Sequence, residues 1–163
     1  MRPGQLSRRG TSPARRCRMG KTILVGADFS PESDRALGVA SEVARALGCP
    51  LELVHAHQPG TYTLAPPVDV VTFPEDGAEL AHVRHQLDDR LARLAAEGIP
   101  ATDDVLTGEP ARAILDKAQQ RDPLLIVVGS HGRTGLSRLI MGSVAERVVR
   151  HADRPVLVVP KIA

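Results

Sequence analysis

Residues 124–143 read LLIVVGSHGRTGLSRLIMGS, and they decide the fold. Leu124 to Val128 is a run of five apolar residues between turn signals. So short and uniform a run predicts a strand buried on both faces. Gly129, Gly132, Gly135 and Gly142 follow. Beyond them Val144, Val148, Val149 and Ala152 repeat at helical spacing. The pattern is strand, glycine-rich loop, helix. Glycine lets a backbone take φ > 0 and approach a ligand closely. The N–H groups of such a loop, and of the helix N-terminus after it, point at bound anions. The stretch therefore predicts a phosphate-binding loop.

The same alternation extends outward in both directions. Lys21–Ala27 reads as a first strand that ends at Gly26-Ala27-Asp28. Ser30-Pro31 starts a helix, with serine as N-cap and proline at the first helical position. Ala36, Leu37, Ala40, Val43, Ala44 and Leu47 form its apolar stripe, and Gly48 ends it. Leu51–His57 is a second strand. Gln58–Pro74, with four prolines, is a long irregular connection of the kind that is functional or mobile. Glu75–Glu97 is a long helix with Leu80, Val83, Leu87, Leu91 and Leu94 as its core stripe, ended by Gly98. Ile99–Leu106 is a less apolar strand, suited to a place near a sheet edge. A short helix opens at Glu109-Pro110, carries Ala113, Ile114 and Ala118, and breaks at Asp122-Pro123. After the glycine loop come a helix from Ser143 to Ala152 and a last strand, Val156–Val159, apolar on both faces. Something must cover that strand. Strands alternating with helices argue a parallel α/β sheet with right-handed crossovers. In such sheets ligands bind beyond the carboxyl ends of the strands, at the topological switch point. The strand ends at Gly26-Ala27-Asp28 and Val128-Gly129 carry the most candidate groups, so these two strands are expected side by side.

Composition supports this reading and removes others. The core must be built from Val, Leu, Ile and Ala, because the chain has one Tyr, two Phe and no Trp. That suits a parallel sheet under helices. It also argues against single-stranded nucleic-acid binding, which uses aromatic stacking platforms. No apolar stretch approaches the ~20 residues of a membrane helix. The two cysteines, Cys17 and Cys49, have no metal spacing. The formal charge of +2 belongs to an arm: residues 1–18 hold six arginines and no acid, and subtracting those six charges leaves −4. The arm has no apolar periodicity and no secretory h-region. Residues 1–19 are expected to be a disordered extension ahead of a start at Met19, and residues 20–163 a single cytoplasmic domain.

At this point the motifs carry a family resemblance. Gly129-x2-Gly132-x9-Gly142-Ser143 resembles the G-2x-G-9x-G-(S/T) nucleotide motif of the universal stress protein family. The first strand with Asp28 and Ser30, the VHAH of residues 54–57, and the closing RPVLVVP of residues 154–160 are similar to that family too. The resemblance spans residues 20–161 and leaves out the arginine-rich arm. It implies a doubly wound, five-stranded parallel sheet in the order 3-2-1-4-5 with helices on both faces, adenine nucleotide alpha hydrolase-like and Rossmann-like. It implies a homodimer in which Val156–Val159 pairs with its twin across a two-fold axis. The family divides into members that bind ATP and members that lack the glycine motif. This chain keeps every motif position and so resembles the ATP-binding branch, with ATP, with or without Mg²⁺, as cofactor.

The resemblance implies roles residue by residue. Asp28 would sit near ribose and adenine, with Gly26 and Ala27 allowing close approach and Ser30 following in the same turn. A turn or N-cap aspartate is the plain alternative. Val54 would pack on the adenine; alone it is a core valine. Gly129, Gly132, Gly142 and Ser143 would hold phosphates through backbone N–H groups and the hydroxyl, with Val144 next in the helix. Ser143 at a helix start is also a plain N-cap. Ser130 and His131 line the loop, and Arg133 and Arg138 add positive charge or are solvated arginines. No G-x-x-x-x-G-K-[ST] occurs, so this is not a Walker loop; nor is it the dinucleotide fingerprint. His82, His85 and Asp88 or Asp89 are spaced as a helical metal face could be, but the spacing reads first as a solvated polar face. His57 lies near the end of its strand, beside the expected pocket. No nucleophile–base pair or serine elbow is present. The implied function is a nucleotide-dependent stress-response regulator. Its rivals are a slow ATPase or nucleotidyl-transfer enzyme using the same pocket, and a structural dimer acting through its surface.

Overall fold

The computed structural model describes residues 21–58, 61–62, 71–72, 77–131 and 141–161. The arginine-rich arm, most of the Gln58–Pro74 connection, and Gly132, Arg133, Gly135 and Arg138 of the loop lie outside the described residues.

Seven strands and four helices follow one another along these residues: β1 (Ile23–Gly26), α1 (Pro31–Leu47), β2 (Leu51–His57), β3 (Thr61–Tyr62), β4 (Val71–Thr72), α2 (Gly77–Ala96), β5 (Ala101–Thr107), α3 (Pro110–Arg121), β6 (Leu125–Gly129), α4 (Ser143–His151) and β7 (Val156–Val159). The sheet runs β5-β2-β1-β6-β7, and every neighbouring pair is parallel. Counting only these five strands in chain order, that is 3-2-1-4-5. The less apolar strand β5 lies at one edge and β7 at the other. β1 and β6 are neighbours, in the register Ile23↔Leu125 to Val25↔Val127. Inside the connection expected to be irregular, β3 and β4 pair antiparallel, Thr61 against Thr72 and Tyr62 against Val71. Such two-residue strands carry too little periodicity to be read from sequence.

Side chains alternate across the sheet and build two cores. On one face Ile23, Val25, Leu51 and Leu53 meet Ala36, Ala40 and Ala44 of α1 and Val83, Leu87 and Leu94 of α2. On the other, Leu24, Val54, Ile126 and Val128 meet Ala111, Ile114 and Ala118 of α3 and Ala145 and Val148 of α4. The helices begin where the sequence signals them. Ser30 caps α1 by accepting the Ser33 N–H at 3.1 Å, Pro31 opens the helix, and Gly48 closes it with φ 68°. That left-handed turn is one glycine adopts at little cost.

The helix stripes differ from their sequence readings at three points: Leu47 of α1 and Val149 of α4 are exposed, and α2 buries a charge. In α2 the buried positions are Val83, Leu87, Arg90 and Leu94, so an arginine stands where Leu91 was expected. A period of 3.6 residues carries the buried line from 87 to 90 and on to 94, leaving Leu91 half-buried at the edge of the stripe. A second hidden charge is Glu52 of β2, which lies under α3 at 2% exposure. Its Oε1 accepts from Lys117 Nζ at 3.2 Å and from Arg121 Nε at 3.0 Å, and Lys117 also reaches Asp104 at 2.6 Å. Burial alone would lower the Lys117 pKa. The hydrogen bonds to Asp104 and Glu52 outweigh it and hold the ammonium above the ordinary lysine value.

Gly38 is exposed in the middle of α1, and a methyl group added there meets no atom within 4 Å. Glycine in a helix interior gives away backbone entropy that alanine does not. Gly38→Ala should therefore raise the unfolding free energy by about 0.5–1 kcal/mol, read as a shifted urea midpoint at unchanged slope.

Candidate functional site

A cavity of about 710 Å³ opens beyond the carboxyl ends of the strands, where β1 and β6 lie side by side. The chain leaves β1 for one face of the sheet through α1. Past β6 it returns on the other face as α4, and the divergence leaves a crevice. Gly26, Ala27, Asp28 and Phe29 form one wall, and Val128, Gly129, Ser130 and His131 the facing one. Ser33 of α1, Val54 to Gln58 of the β2 end, Gly142 to Ala145 of the α4 start, Pro110 and Ile114 of α3, and Glu79, His82 and Val83 of α2 complete the lining. Ten of the sequence-expected residues thus line one cavity: Gly26, Ala27, Asp28, Val54, Gly129, Ser130, His131, Gly142, Ser143 and Val144. Ser30 does not. Gly132 and Arg133 lie outside the described residues.

The wall at β1 is a tight turn held by its own polar groups. Asp28 Oδ1 accepts from the Ser30 N–H at 3.0 Å and the Ser30 hydroxyl at 2.6 Å. The Asp28 N–H donates to Ser33 Oγ at 3.2 Å. Asp28 therefore has the turn role that its residue type allows, while its side of the turn faces the cavity; Ser30 is buried behind it as the helix cap. Between them Phe29 has φ 64°, left-handed for a bulky residue. Its ring stacks on buried His55, centroids 4.5 Å apart. His55 Nδ1 donates to the Ala27 carbonyl at 2.7 Å.

The wall at β6 is built by close approach. A Cβ at Gly129 would stand 3.2 Å from the Glu32 carbonyl oxygen of α1 and 3.3 Å from that of His131. Both obstacles are backbone. At Gly26 the nearest atoms are the Ile114 and Val128 methyl groups, at 3.1 and 3.2 Å. Ser130 then ties three segments. Its N–H donates to the Val159 carbonyl at 2.8 Å, and its own carbonyl accepts from the Gly142 N–H at 2.7 Å. Its hydroxyl accepts from the Lys161 N–H at 3.2 Å and lies 2.9 Å from His131 Nδ1. Lys161 Nζ reaches Glu32 at 3.1 Å. That hydrogen bond is the main reason the Glu32 carboxyl lies below its ordinary range.

The three helix starts at the rim differ in how their N–H groups are satisfied. Ser30 caps α1. Glu109 caps α3, its carboxylate accepting from Ala111 N–H at 3.2 Å and Arg112 N–H at 3.0 Å. At α4 the N-cap is Gly142 with no side-chain hydrogen bond, and Ser143 is the first helical residue rather than the cap. Its backbone already continues the helix, so its side chain is not needed to start it. The first-turn N–H groups of α4 carry the positive end of the helix dipole and have no internal partner in the helix.

Sequence reasoning missed, among other cavity residues, Phe29, Ser33, His55, Glu79, His82, Val83, Pro110 and Ile114. The α2 and α3 members arrive from distant parts of the chain, and their spacing signals only a helix. His57 does reach the cavity, buried, with Nδ1 3.9 Å from Glu79 Oε1. Among the described residues no three His, Cys, Asp or Glu side chains are grouped to hold a metal ion.

The family model described as "Universal stress protein family" matches residues 19–160. The chain belongs to this family. A universal stress protein of Thermus aquaticus is 37% identical over 142 residues, covering 86% of this chain and 99% of that one. The solved structure of the universal stress protein from Archaeoglobus fulgidus in complex with dAMP has a TM-score of 0.64 at 26% identity, covering 85% of this chain and 97% of that one. A universal stress protein in complex with cAMP also has a TM-score of 0.64 at 26% identity, covering 85% and 96%.

The two strand-end glycines of this universal stress protein should respond differently to a methyl group. Gly129→Ala meets backbone on two sides and should lose about 1–3 kcal/mol in urea unfolding. Gly26→Ala meets methyl groups that can turn aside and should lose less. An equal or reversed order would mean that the start of α1 yields.

Proposed function

We propose that this universal stress protein binds an adenine nucleotide, ATP, in the switch-point cavity and acts as a nucleotide-dependent stress-response regulator, cytoplasmic and homodimeric. The observation that carries the reading is the uncapped start of α4 opening into a cavity of about 710 Å³. That volume is in the ~300–1,000 Å³ range of small-molecule sites. Relatives of the same fold in complex with dAMP and cAMP support the base and sugar as adenine nucleotide.

In this reading the phosphates lie at the α4 start. The Gly142 N–H is already given to Ser130, so the Ser143 and Val144 N–H groups and the Ser143 hydroxyl take them. Gly129 lets the chain pass close by, and Ser130 and His131 hold the loop ends, with Gly132 and Arg133 beyond. Asp28 accepts ribose hydroxyls at the turn after β1, and Gly26 and Ala27 leave room for the sugar. Val54 packs on the adenine. Mg²⁺ takes oxygen ligands and travels with nucleotide phosphates, so it enters as part of ATP. No helix among the described residues is long and apolar enough to cross a membrane.

The test is direct. Protein denatured after purification should release adenine nucleotide, or apo protein should bind ATP in calorimetry. Losing a hydrogen bond to a charged group is worth about 1.5–3 kcal/mol, so Ser143→Ala should weaken binding about tenfold or more. Protein that neither carries nor takes up adenine nucleotide overturns the reading. Phosphate release measured on the same samples tests turnover.

Pairing of β7 with its twin gives the dimer. The Pro155 and Val159 carbonyls face β6, accepting from Ile126 and Ser130. Backbone groups alternate along a strand, so those of Val156 and Val158 face outward. Val158→Pro removes an outward N–H and spares the inner ladder. It should leave the fold's circular dichroism intact and convert dimer to monomer in sedimentation. A dimer that persists would place the interface elsewhere.

A further inference from the structure

The buried arginine of α2 has no place in the site as described so far. Arg90 is 4% exposed, at a position where the stripe of Val83, Leu87 and Leu94 calls for an apolar side chain. Burying a charge is unfavourable unless it is fully paired. Here each guanidinium nitrogen has a partner. Nε and Nη2 reach Asp34 Oδ1 at 2.7 and 2.6 Å, and Nη1 donates to the Gln86 carbonyl and to Gln86 Oε1, both at 2.9 Å. The guanidinium carbon lies over the Phe29 ring, 4.9 Å from its centre. A guanidinium over an aromatic face is attracted by the ring's quadrupole.

Phe29 is the residue whose backbone needs holding. It is one of two non-glycine residues with positive φ among the described residues, and it follows Asp28 directly. A strained backbone persists only where its surroundings over-determine it. The Phe29 ring is held between two contacts: Arg90, anchored to both α1 and α2, and His55, anchored to the Ala27 carbonyl. Ala27, Asp28 and Phe29 all line the cavity.

We infer that Arg90 is a positioning residue for nucleotide binding: through the Phe29 ring it holds the strained turn that presents Asp28 to the cavity. The inference rests on the adenine-nucleotide reading above. Arg90 does not touch the ligand. It keeps the β1 wall in the shape that the ligand meets, so that binding does not have to order it. Lysine cannot replace it, because one ammonium lacks the fork that serves Asp34 and Gln86 together and stacks poorly on the ring.

The test uses the full chain with ATP as probe. Arg90→Met keeps an unbranched side chain of similar length and should weaken ATP binding about tenfold. In the same variant the His55 imidazole proton resonances should lose the ring-current shift of the Phe29 stack. Asp34→Asn alters a half-exposed partner without emptying the core, so it decides if Arg90→Met fails to fold; a roughly threefold loss of affinity with a smaller His55 shift is expected. A fall in melting temperature with affinity and His55 resonances unchanged, in either folded variant, overturns the inference and leaves Arg90 a stability residue. Wild-type protein that binds no ATP overturns the nucleotide reading and this inference with it. Wild-type binding that both variants retain overturns this inference alone.

Discussion

The parallel pairing of β1 with β6 is the constraint on which the rest of the structure depends. Both strands end at the same level and send their backbones away from a common edge. Their following helices pack on opposite faces, α1 with the core of Ile23 and Val25, α4 with that of Leu24 and Ile126. Two chains leaving adjacent strand ends in opposite directions cannot fill the space between them. The crevice is a consequence of topology, and side chains only decide what it accepts. The chemistry also has to be local, because only residues at strand ends and helix starts can reach it.

Maintaining that crevice requires backbone to pass backbone closely, and the structure shows where. Gly129 fits between the Glu32 and His131 carbonyls because it has no Cβ. One residue later Ser130 spends its N–H, carbonyl and hydroxyl on Val159, Gly142 and Lys161, which binds the end of β6 to the end of β7 and to the start of α4. Lys161 in turn pairs with Glu32, at the first turn of α1. The cavity wall and the edge strand therefore share one small set of hydrogen bonds. A shift of the loop that moved Gly142 would be felt at Ser130, and from there at the tail of β7.

Much of this was legible in the sequence, and the reason is that a parallel α/β sheet is patterned at short range. Uniform apolar runs, helical stripes and Pro/Gly/Ser punctuation placed every strand of the main sheet, and the strand-end signals put β1 beside β6. Ten of the expected site residues meet at one cavity because they sit at those strand ends and at the helix start after the loop. Three things were not legible. Arg90 was hidden because a charged residue inside a leucine stripe reads as solvent-facing, and only its partners from α1 and Phe29 show otherwise. The left-handed Phe29 was hidden because nothing in its residue type favours positive φ; the Asp28–Ser30 hydrogen bonds that span it and the ring contacts from β2 and α2 come from the folded arrangement. The α2 and α3 wall was hidden because sequence spacing assigns residues to a helix face and not to the face of another element.

The cavity is electrostatically one-sided, and this follows from how its three helix starts are capped. At α3 the Glu109 carboxylate takes the first N–H groups, and Arg147 lies 3.2 Å from that carboxylate, so the dipole there is spent internally. At α1 the Ser30 hydroxyl does the same with a neutral group. Only at α4, of these three, do the first-turn N–H groups face the cavity uncapped. The two carboxylates that line the cavity, Asp28 and Glu79, stand just past β1 and on α2, and Val54, Val83, Ile114 and Val128 supply apolar lining. A ligand with an anionic end and a flat apolar end meets attraction at α4, repulsion from the carboxylates, and apolar lining for its other end. Such a ligand has one favourable orientation, and the caps set it.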